Sequence, residues 1–479
     1  FSSELKSFHK NENFQKKINF NSLGEFLQYG YIMEPNCIFD YTYKLKSGHY
    51  IEFDLAQKKI DIKKYWSIHE LDSNPKRKLS KKEFLKELND LLISSFKYRM
   101  ISDVPVGVFL SGGYDSSILT AILQKYTNMK IKTYTIGFHE KGFDEAPYAR
   151  EVAKHLKTEH TEYYCTQKEA FDIIPDLPLI YDEPFGDVSA IPTILVSKLA
   201  KKDVSVVLSA DGGDEIFGGY KKYITTINTY KKIKSVPLFL RKSLNKILSK
   251  IDINKIPYFK NLSNIESKFD KVKELLMADD IIDVMKILSQ PSSFNQVKKL
   301  LISEIKENKN NFSYINDKNI VKADIDKLLN IDFDTYMKDD VLVKVDRATM
   351  SQSIEGREPL IDYRIIEFMA SVDVNFKIHN GELKWALKEL THNLLPKEIM
   401  DRPKMGFGVP IMEWFRDDLK IYFDKYISKE LLSKQNIFNI DEVISLKESY
   451  LRGNKENVNK LWYILMFQMW HEKWVDQSI

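Results

Sequence analysis

Two short loops hold the residue types that could do chemistry. The first is Ser111-Gly112-Gly113-Tyr114-Asp115-Ser116-Ser117. The apolar run Val106-Gly107-Val108-Phe109-Leu110 leads into it, and a helical pattern through Ile118, Leu119, Ile122 and Leu123 follows. Glycines let backbone N–H groups crowd around an anion, the serines add hydroxyl donors, and the next helix aims its positive end at the same place. Together these make a phosphate or pyrophosphate cradle. It differs from a GxxxxGK[ST] loop, because no lysine reaches the terminal phosphates and Asp115 sits inside the cradle. A carboxylate beside a polyphosphate is repelled unless a cation lies between them, so the loop implies Mg²⁺. The second loop is Ser209-Ala210-Asp211-Gly212-Gly213-Asp214-Glu215, after the apolar run Val204 to Leu208 and before Ile216-Phe217-Gly218-Gly219-Tyr220. Asp214 is the natural second carboxylate for that cation. Taken alone, each loop is explained as well by a glycine turn with capping serines or acids. Two of them at strand ends of one sheet are harder to explain that way.

The elements that position these loops are legible from periodicity. Residues 1–68 look β-rich, with Tyr41-Thr42-Tyr43-Lys44-Leu45 and His49-Tyr50-Ile51-Glu52-Phe53 alternating around a Ser47-Gly48 turn. The polar stretch Asp72 to Lys78 is a linker candidate. A helix is predicted from Lys81 to Met100, with Phe84, Leu85, Leu88, Leu91, Leu92 and Phe96 on one face. Strands are predicted at Val106–Leu110, Lys132–Phe138, Glu159–Cys165 and Val204–Leu208, with a helix starting near Asp144. Strands alternating with helices give a parallel α/β sheet whose site lies at the strands' carboxyl ends. From Lys221 to Asn330 the sequence has helical periodicity and no obvious chemistry. The segment Val458 to Val475 places Leu461, Ile464, Leu465, Gln468, Met469 and Trp470 at helical spacing, the pattern of a core helix more than a partner-binding one.

Composition excludes several classes. The chain has 479 residues, 43% of them hydrophobic, enough for about two or three domains. Its 29% charged residues leave a net charge of +4 with no basic run, so no nucleic-acid partner is expected. Cys37 and Cys165 form no CxxC pair and lie near no ligand-spaced histidine. A reducing cytoplasm suits them, and no membrane partner is expected from the hydropathy. The chain opens on Phe1 rather than Met, which is read here as truncation of a longer protein.

Taken together, the two loops resemble the synthetase domain of the glutamine-hydrolysing asparagine synthetase family. Further stretches carry the resemblance: Asp182-Glu183-Pro184-Phe185-Gly186-Asp187, Asp339-Asp340-Val341-Leu342-Val343-Lys344-Val345-Asp346-Arg347, Glu355-Gly356-Arg357-Glu358-Pro359-Leu360-Ile361-Asp362 and Arg402-Pro403-Lys404-Met405-Gly406-Phe407. Phe1-Ser2-Ser3-Glu4-Leu5-Lys6 resembles a segment late in that family's glutaminase domain. The resemblance implies an α/β fold: a parallel-sheet ATP-pyrophosphatase (adenine-nucleotide alpha-hydrolase-like) domain over 76–479 with many added helices. It is preceded over 1–70 by a small β-rich remnant of an αββα glutaminase domain. It also implies that Leu110, Ser111, Gly112, Gly113, Asp115, Ser116, Ser117, Ile136, Ser209 and Ala210 line the ATP site, and that Asp115 and Asp214 hold Mg²⁺. Asp211 matches an acidic residue implicated in forming the acyl-adenylate. Lys384 matches a lysine that neutralises charge near the pyrophosphate, and Glu355 matches a candidate for polarising the acceptor site. Charge patterning alone would make Lys384 a solvated helix lysine and Glu355 a partner of Arg357.

The function implied is amidation of aspartate to asparagine through a β-aspartyl-adenylate, with AMP and pyrophosphate released and nitrogen taken from glutamine or ammonia. A homodimer is compatible with the resemblance. The family's N-terminal catalytic cysteine has no counterpart in this chain, since Cys37 falls late in the glutaminase-like part and is read as a buried structural thiol. Three alternatives stand beside this reading. One is a related enzyme adenylating another carboxylate, of β-lactam-synthetase type or acting on a surface-polysaccharide carboxylate. The others are a catalytically dead scaffold and a tRNA-modifying ATP-pyrophosphatase. The intact Asp115, Asp214 and Lys384 speak against a scaffold, and the lack of catalytic cysteines or a basic face speaks against tRNA modification.

Overall fold

The strands run in chain order as β1 (His49–Asp54), β2 (Lys59–Lys64), β3 (Val106–Phe109), β4 (Lys132–Phe138), β5 (Glu159–Cys165), β6 (Val206–Leu208) and β7 (Glu355–Arg357). The structure is a computed structural model that describes residues 1–71, 75–140, 142–251, 265–307, 323–401, 420–454 and 457–476. β1 and β2 form an antiparallel hairpin, while β3 to β7 form one parallel sheet in the order β5-β4-β3-β6-β7. The chain enters this sheet at its centre, builds outward to β5, and then returns to lay β6 on the other side of β3. The connections leaving β3 and β6 therefore diverge and open a crevice between them at the strands' carboxyl ends. Both glycine-rich loops leave from those two ends.

The inner strands β3, β4 and β6 are buried on both faces, as strands covered by helical crossovers must be, while β5 and β7 at the edges are partly exposed. Strand β6 shows the alternation directly. Val206 and Leu208 join a core with Phe84, Leu88 and Leu92 of the helix Lys81–Arg99 and Ile118 and Ile122 of the helix Tyr114–Tyr126. Val207 points the other way, into a core with Ile191 and Ile194 of the helix Ala190–Ala200 and Leu461, Ile464 and Leu465 of the helix Val458–His471. That last helix is a core helix, as its periodicity predicts, and continues into a π-helical turn at Glu472–Asp476. A capping box at Ser80 and Glu83 starts Lys81–Arg99, satisfying backbone donors that the first helical turn leaves open.

One expectation is corrected, and the structure adds two elements. Tyr41-Thr42-Tyr43-Lys44-Leu45 is not a strand, and β1 pairs instead with β2, placing Ile51 opposite Ile62 and Phe53 opposite Ile60. The reason lies in Lys44, whose Nζ donates to the Ile32 carbonyl at 2.6 Å and pairs with Glu183 at 2.9 Å, fastening the segment onto the larger domain. Beside that hairpin the first 68 residues also hold a helix, Phe20–Tyr29, capped by the Asn19 side chain. Strand β7 has no sequence signal, being three residues, Glu-Gly-Arg, with no apolar run. Its pairing is made by backbone alone, including a Glu355 N–H donation to the Ser205 carbonyl at 3.0 Å. The linker candidate is tied down from its second half: Arg77 donates its N–H to Ser371 at 2.7 Å and Lys76 reaches the Ala370 carbonyl at 2.7 Å. Among the described residues no helix is long and apolar enough to cross a membrane.

Candidate active site

The loop after β3 is organised by its serines. Ser116 Oγ accepts from the Ser111 N–H at 3.2 Å and lies 3.0 Å from Ser111 Oγ, while the Gly113 N–H donates to Ser111 Oγ at 3.3 Å. These bonds curl the chain into a concave backbone turn at the N-terminus of Tyr114–Tyr126. Gly112 adopts φ +73°, and a Cβ there would stand 2.8 Å from the Ala149 nitrogen, so both conformation and space call for glycine. Ser117 is fully buried, and its hydroxyl has no hydrogen-bond partner among the described residues. Leu110 is buried at the exit of β3, with its N–H on the Tyr134 carbonyl at 3.0 Å and its own carbonyl accepting from Thr135. Ile136, on the neighbouring β4, is buried in the core with Tyr134 and Phe138.

The loop after β6 stands across the crevice. Ser209 donates its hydroxyl to Asp211 and its N–H to the Arg357 carbonyl at 2.9 Å, and Ala210 packs on the core beneath. Asp214 lies in the first turn of the short helix Gly213–Phe217. The tertiary structure brings it to Asp115 through Lys384, whose Nζ bonds Asp115 and pairs with Asp214 at 2.8 Å. Burial would lower the Lys384 ammonium's pKa, but the charges of Asp115 and Asp214 outweigh it and hold the group above the ordinary lysine value. Lys384 precedes the helix Trp385–His392 and takes a left-handed conformation, φ 54° and ψ 32°. For a side chain with Cβ this costs about 1 kcal/mol or more, the kind of strain that clusters at functional sites. Gly219 makes the convergence sterically possible, because a Cβ there would fall 1.8 Å from Asp214 Oδ1 and 2.1 Å from Lys384 Cε.

Glu355 is not brought into this group. It starts β7, in register with Val206 at the start of β6, and so sits at the end of the sheet remote from the two loops. Its exposed carboxylate accepts from Arg357 Nε at 2.7 Å, and Arg357 in turn donates to the carbonyls of Arg99 and Ile101. The acid that the chain delivers to the loop side is Glu358, just beyond β7. Its Oε1 is buried without a hydrogen-bond partner among the described residues. Burial first, then the charges of Asp211 and Asp346, push its carboxyl up to about 8. Lys344 is also near: its buried ammonium pairs with Asp187 at 3.7 Å and feels the charge of Asp211. Neither residue was given a role from the sequence. Both lie inside stretches that carried the resemblance, but the order of residues does not say which acid of a run turns inward. The stretch Arg402 to Phe407 lies outside the described residues.

Comparison with known proteins shows the family. Residues 87–472 match the family described as Asparagine synthase, and residues 1–66 match the glutamine amidotransferase domain. The chain belongs to the asparagine synthase family. It is 28% identical over 476 residues to asparagine synthetase [glutamine-hydrolyzing] 1 of Bacillus subtilis, covering 98% of this chain and 71% of that protein. A putative asparagine synthetase [glutamine-hydrolyzing] 2 of Methanocaldococcus jannaschii is 41% identical over 261 residues, covering 53% of this chain and 49% of that protein. A putative asparagine synthetase of Mycobacterium tuberculosis is 25% identical over 469 residues, covering 97% and 69%. The family's members are ligases that combine an ATP-dependent synthase domain with a glutamine amidotransferase domain. In this member the two cysteines, Cys37 and Cys165, are buried and unbridged, and burial pushes the Cys165 thiol up to about 12.

Proposed function

We propose that this chain adenylates the side-chain carboxylate of aspartate with ATP and that ammonia then displaces AMP to give asparagine. The observation that carries the reading is the Lys384–Asp115–Asp214 group at the sheet's switch point, beside a serine and glycine cradle. In the first step a carboxylate oxygen attacks the α-phosphorus and the bond to the β-phosphate oxygen breaks. The cradle's N–H and hydroxyl groups hold the phosphates, and the Lys384 ammonium offsets the charge that develops on pyrophosphate as it leaves. In the second step the lone pair of ammonia attacks the acyl carbon, AMP leaves with the C–O bond electrons, and nitrogen sheds a proton. Asp211 and Glu358 are the acids on that side of the crevice. The nitrogen comes from glutamine or from free ammonia.

The residues present fit Mg²⁺. Two carboxylates and one ammonium leave the group with one net negative charge, which repels a polyphosphate unless a further cation enters. Asp115 and Asp214 would hold it, their convergence permitted by Gly219. Mg²⁺ commonly takes one or two carboxylates and completes its shell with phosphate oxygens and water. Among the described residues no group of three or more His, Cys, Asp or Glu could hold a metal ion. When bound, Mg²⁺ would supply charge neutralisation at the phosphates.

The test is pyrophosphate release with ATP, Mg²⁺ and ammonium, screening L-aspartate against other carboxylates. Aspartate-dependent release of pyrophosphate with formation of asparagine is expected. Release with a different carboxylate would move the chain to another acceptor on the same scaffold, and no release with any of them would reject the synthetase reading.

A further inference from the structure

A cavity of about 460 Å³ lies between residues 29–33, the turn at Gly186 and Asp187, and the π-helical segment Phe333–Val341. Most of its charged lining is paired locally. Lys222 meets Asp332 at 2.7 Å, Lys286 meets Glu307 at 2.7 Å, and Asp187 meets Lys344 at 3.7 Å. Asp340 is different. It is 6% exposed, and its Oδ1 has no hydrogen-bond partner among the described residues. Leaving a buried polar group unmatched is unfavourable, and more so if the group is charged. Burial first, then the neighbouring Asp187 charge, hold the Asp340 carboxyl well above the usual range, against the opposing pull of Lys344. The acid is thus stored without a partner in a cavity wall, on a π-helical turn of the kind that often marks functional sites.

The rest of the lining says what would satisfy it. The rings of Tyr31 and Tyr336, with centroids 6.2 Å apart, line the same cavity; the Lys222 ammonium already lies 4.8 Å over the Tyr336 ring, and the Tyr31 ring offers an aromatic face to a further cation. Lys222 also lines the wall, with its ammonium held by Asp332 at 2.7 Å. The volume decides between ligand sizes. An ammonium ion needs roughly the 30 Å³ of a water molecule, whereas this space suits a molecule of amino-acid size or larger. Lys344 couples the cavity wall to the reaction site, since its buried ammonium pairs with Asp187 at 3.7 Å and feels the charges of both Asp340 and Asp211.

We propose that this cavity is the acceptor subsite and that Asp340 binds the primary ammonium group of an amino-acid acceptor. This rests on the carboxylate-amidating reading above and adds what that reading leaves open: recognition of the acceptor's amine. The carboxylate to be activated then extends past Lys344 toward the nucleotide loops.

Calorimetry on the full chain without ATP tests it, using L-aspartate and succinate, the same dicarboxylate without the amine. L-Aspartate is expected to bind about 30-fold tighter than succinate, the worth of one charge-assisted hydrogen bond. Asp340→Asn should bring aspartate down to the succinate level and leave succinate within threefold of its native value. Equal native affinity for the two ligands overturns the proposal, as does aspartate binding that survives Asp340→Asn, and as does no binding of either. Competition by ammonium chloride against aspartate would assign the cavity to the nitrogen donor and also overturn it. The comparison of ligands on the native chain decides the matter even if the variant does not fold. Amine-dependent aspartate binding without aspartate-dependent pyrophosphate release would reject the proposed reaction and leave the subsite standing.

Discussion

Replacing Lys384 with methionine removes one ammonium from between two carboxylates while keeping most of the side chain's length. Lys384 is 7% exposed, and the side chains of Asp115 and Asp214 are 20% and 19% exposed. Breaking a buried ion pair by removing one partner costs about 3–5 kcal/mol, because the remaining charge is left uncompensated. The partial exposure of the two acids puts this site at the lower end, at about 3 kcal/mol. For the sign with pH, the folded-state value of Lys384 is raised. Its contribution is therefore complete below the unfolded lysine value near 10.4 and is lost only as pH rises above that. The destabilisation should accordingly be constant from pH 6 to pH 9. Added Mg²⁺ should recover more stability in the variant than in the native chain, since a cation that binds the folded state alone stabilises it by mass action. Turnover should fall by about 10²- to 10³-fold, the range for removing one group that stabilises developing charge. Thermal shift with and without Mg²⁺, and pyrophosphate release at saturating ATP, are the assays. Activity within threefold of native would refute the placement of Lys384 at the leaving group. Stability unchanged in the absence of Mg²⁺ would refute the charge coupling of the three residues.

Gly219→Ala should abolish activity, because its Cβ would overlap Asp214 and Lys384; a variant with native kcat would show that the carboxylates need not converge. Glu358→Gln should stabilise the chain as pH rises. The native carboxyl sits at about 8 against 4.5 when unfolded, so the fold progressively loses stability between those values, by something of the order of 4 kcal/mol at pH 8. Equal melting profiles of the two proteins from pH 5 to pH 8 would contradict that. Asp362 behaves in the opposite sense. Although burial opposes it, bonds from Arg364 and Arg99 hold its carboxyl far below the usual range, and it also caps the helix Tyr363–Ser371. Its contribution is present above pH 4 and is lost as pH falls below that value. Asp362→Asn keeps the cap and should cost about 3 kcal/mol at pH 7 and clearly less, though not zero, at pH 2, measured by urea unfolding. Finally, Asp115→Ala should remove Mg²⁺-dependent activity; full activity would leave the metal assignment untenable.

Much of the fold is legible because its signals are local. The helix at 81–99 and the strands at 132–138 and 159–165 follow from side-chain periodicity and apolar runs, and the structure has them with almost the same bounds. What periodicity does not report is partner choice. Tyr41 to Leu45 alternates like a strand, yet Lys44 is engaged with Ile32 and Glu183, and the strand partner goes to β2 instead. Strand β7 is invisible because its pairing uses backbone groups that every residue carries. At the site, Glu355 and Glu358 are three residues apart and chemically alike. Only the register of β7 on β6 shows that the first faces Arg357 at one end of the sheet while the second reaches the crevice.

The sequence by itself determined the cradle. Glycines, serines and an acid between a buried strand and a helix dictate a concave anion-binding turn wherever the chain goes, because backbone donors and the helix's positive end act within a few residues. The sequence also determined that two such loops leave parallel strands. The tertiary structure decided the rest. Lys384 is 269 residues from Asp115, and nothing local sets that separation to zero. It is set by β6 pairing beside β3 rather than beyond β5, by Gly219 leaving room, and by a left-handed backbone that turns one lysine inward. Charges act over a few ångströms of space, not along the chain, so their grouping becomes visible only once the sheet has folded.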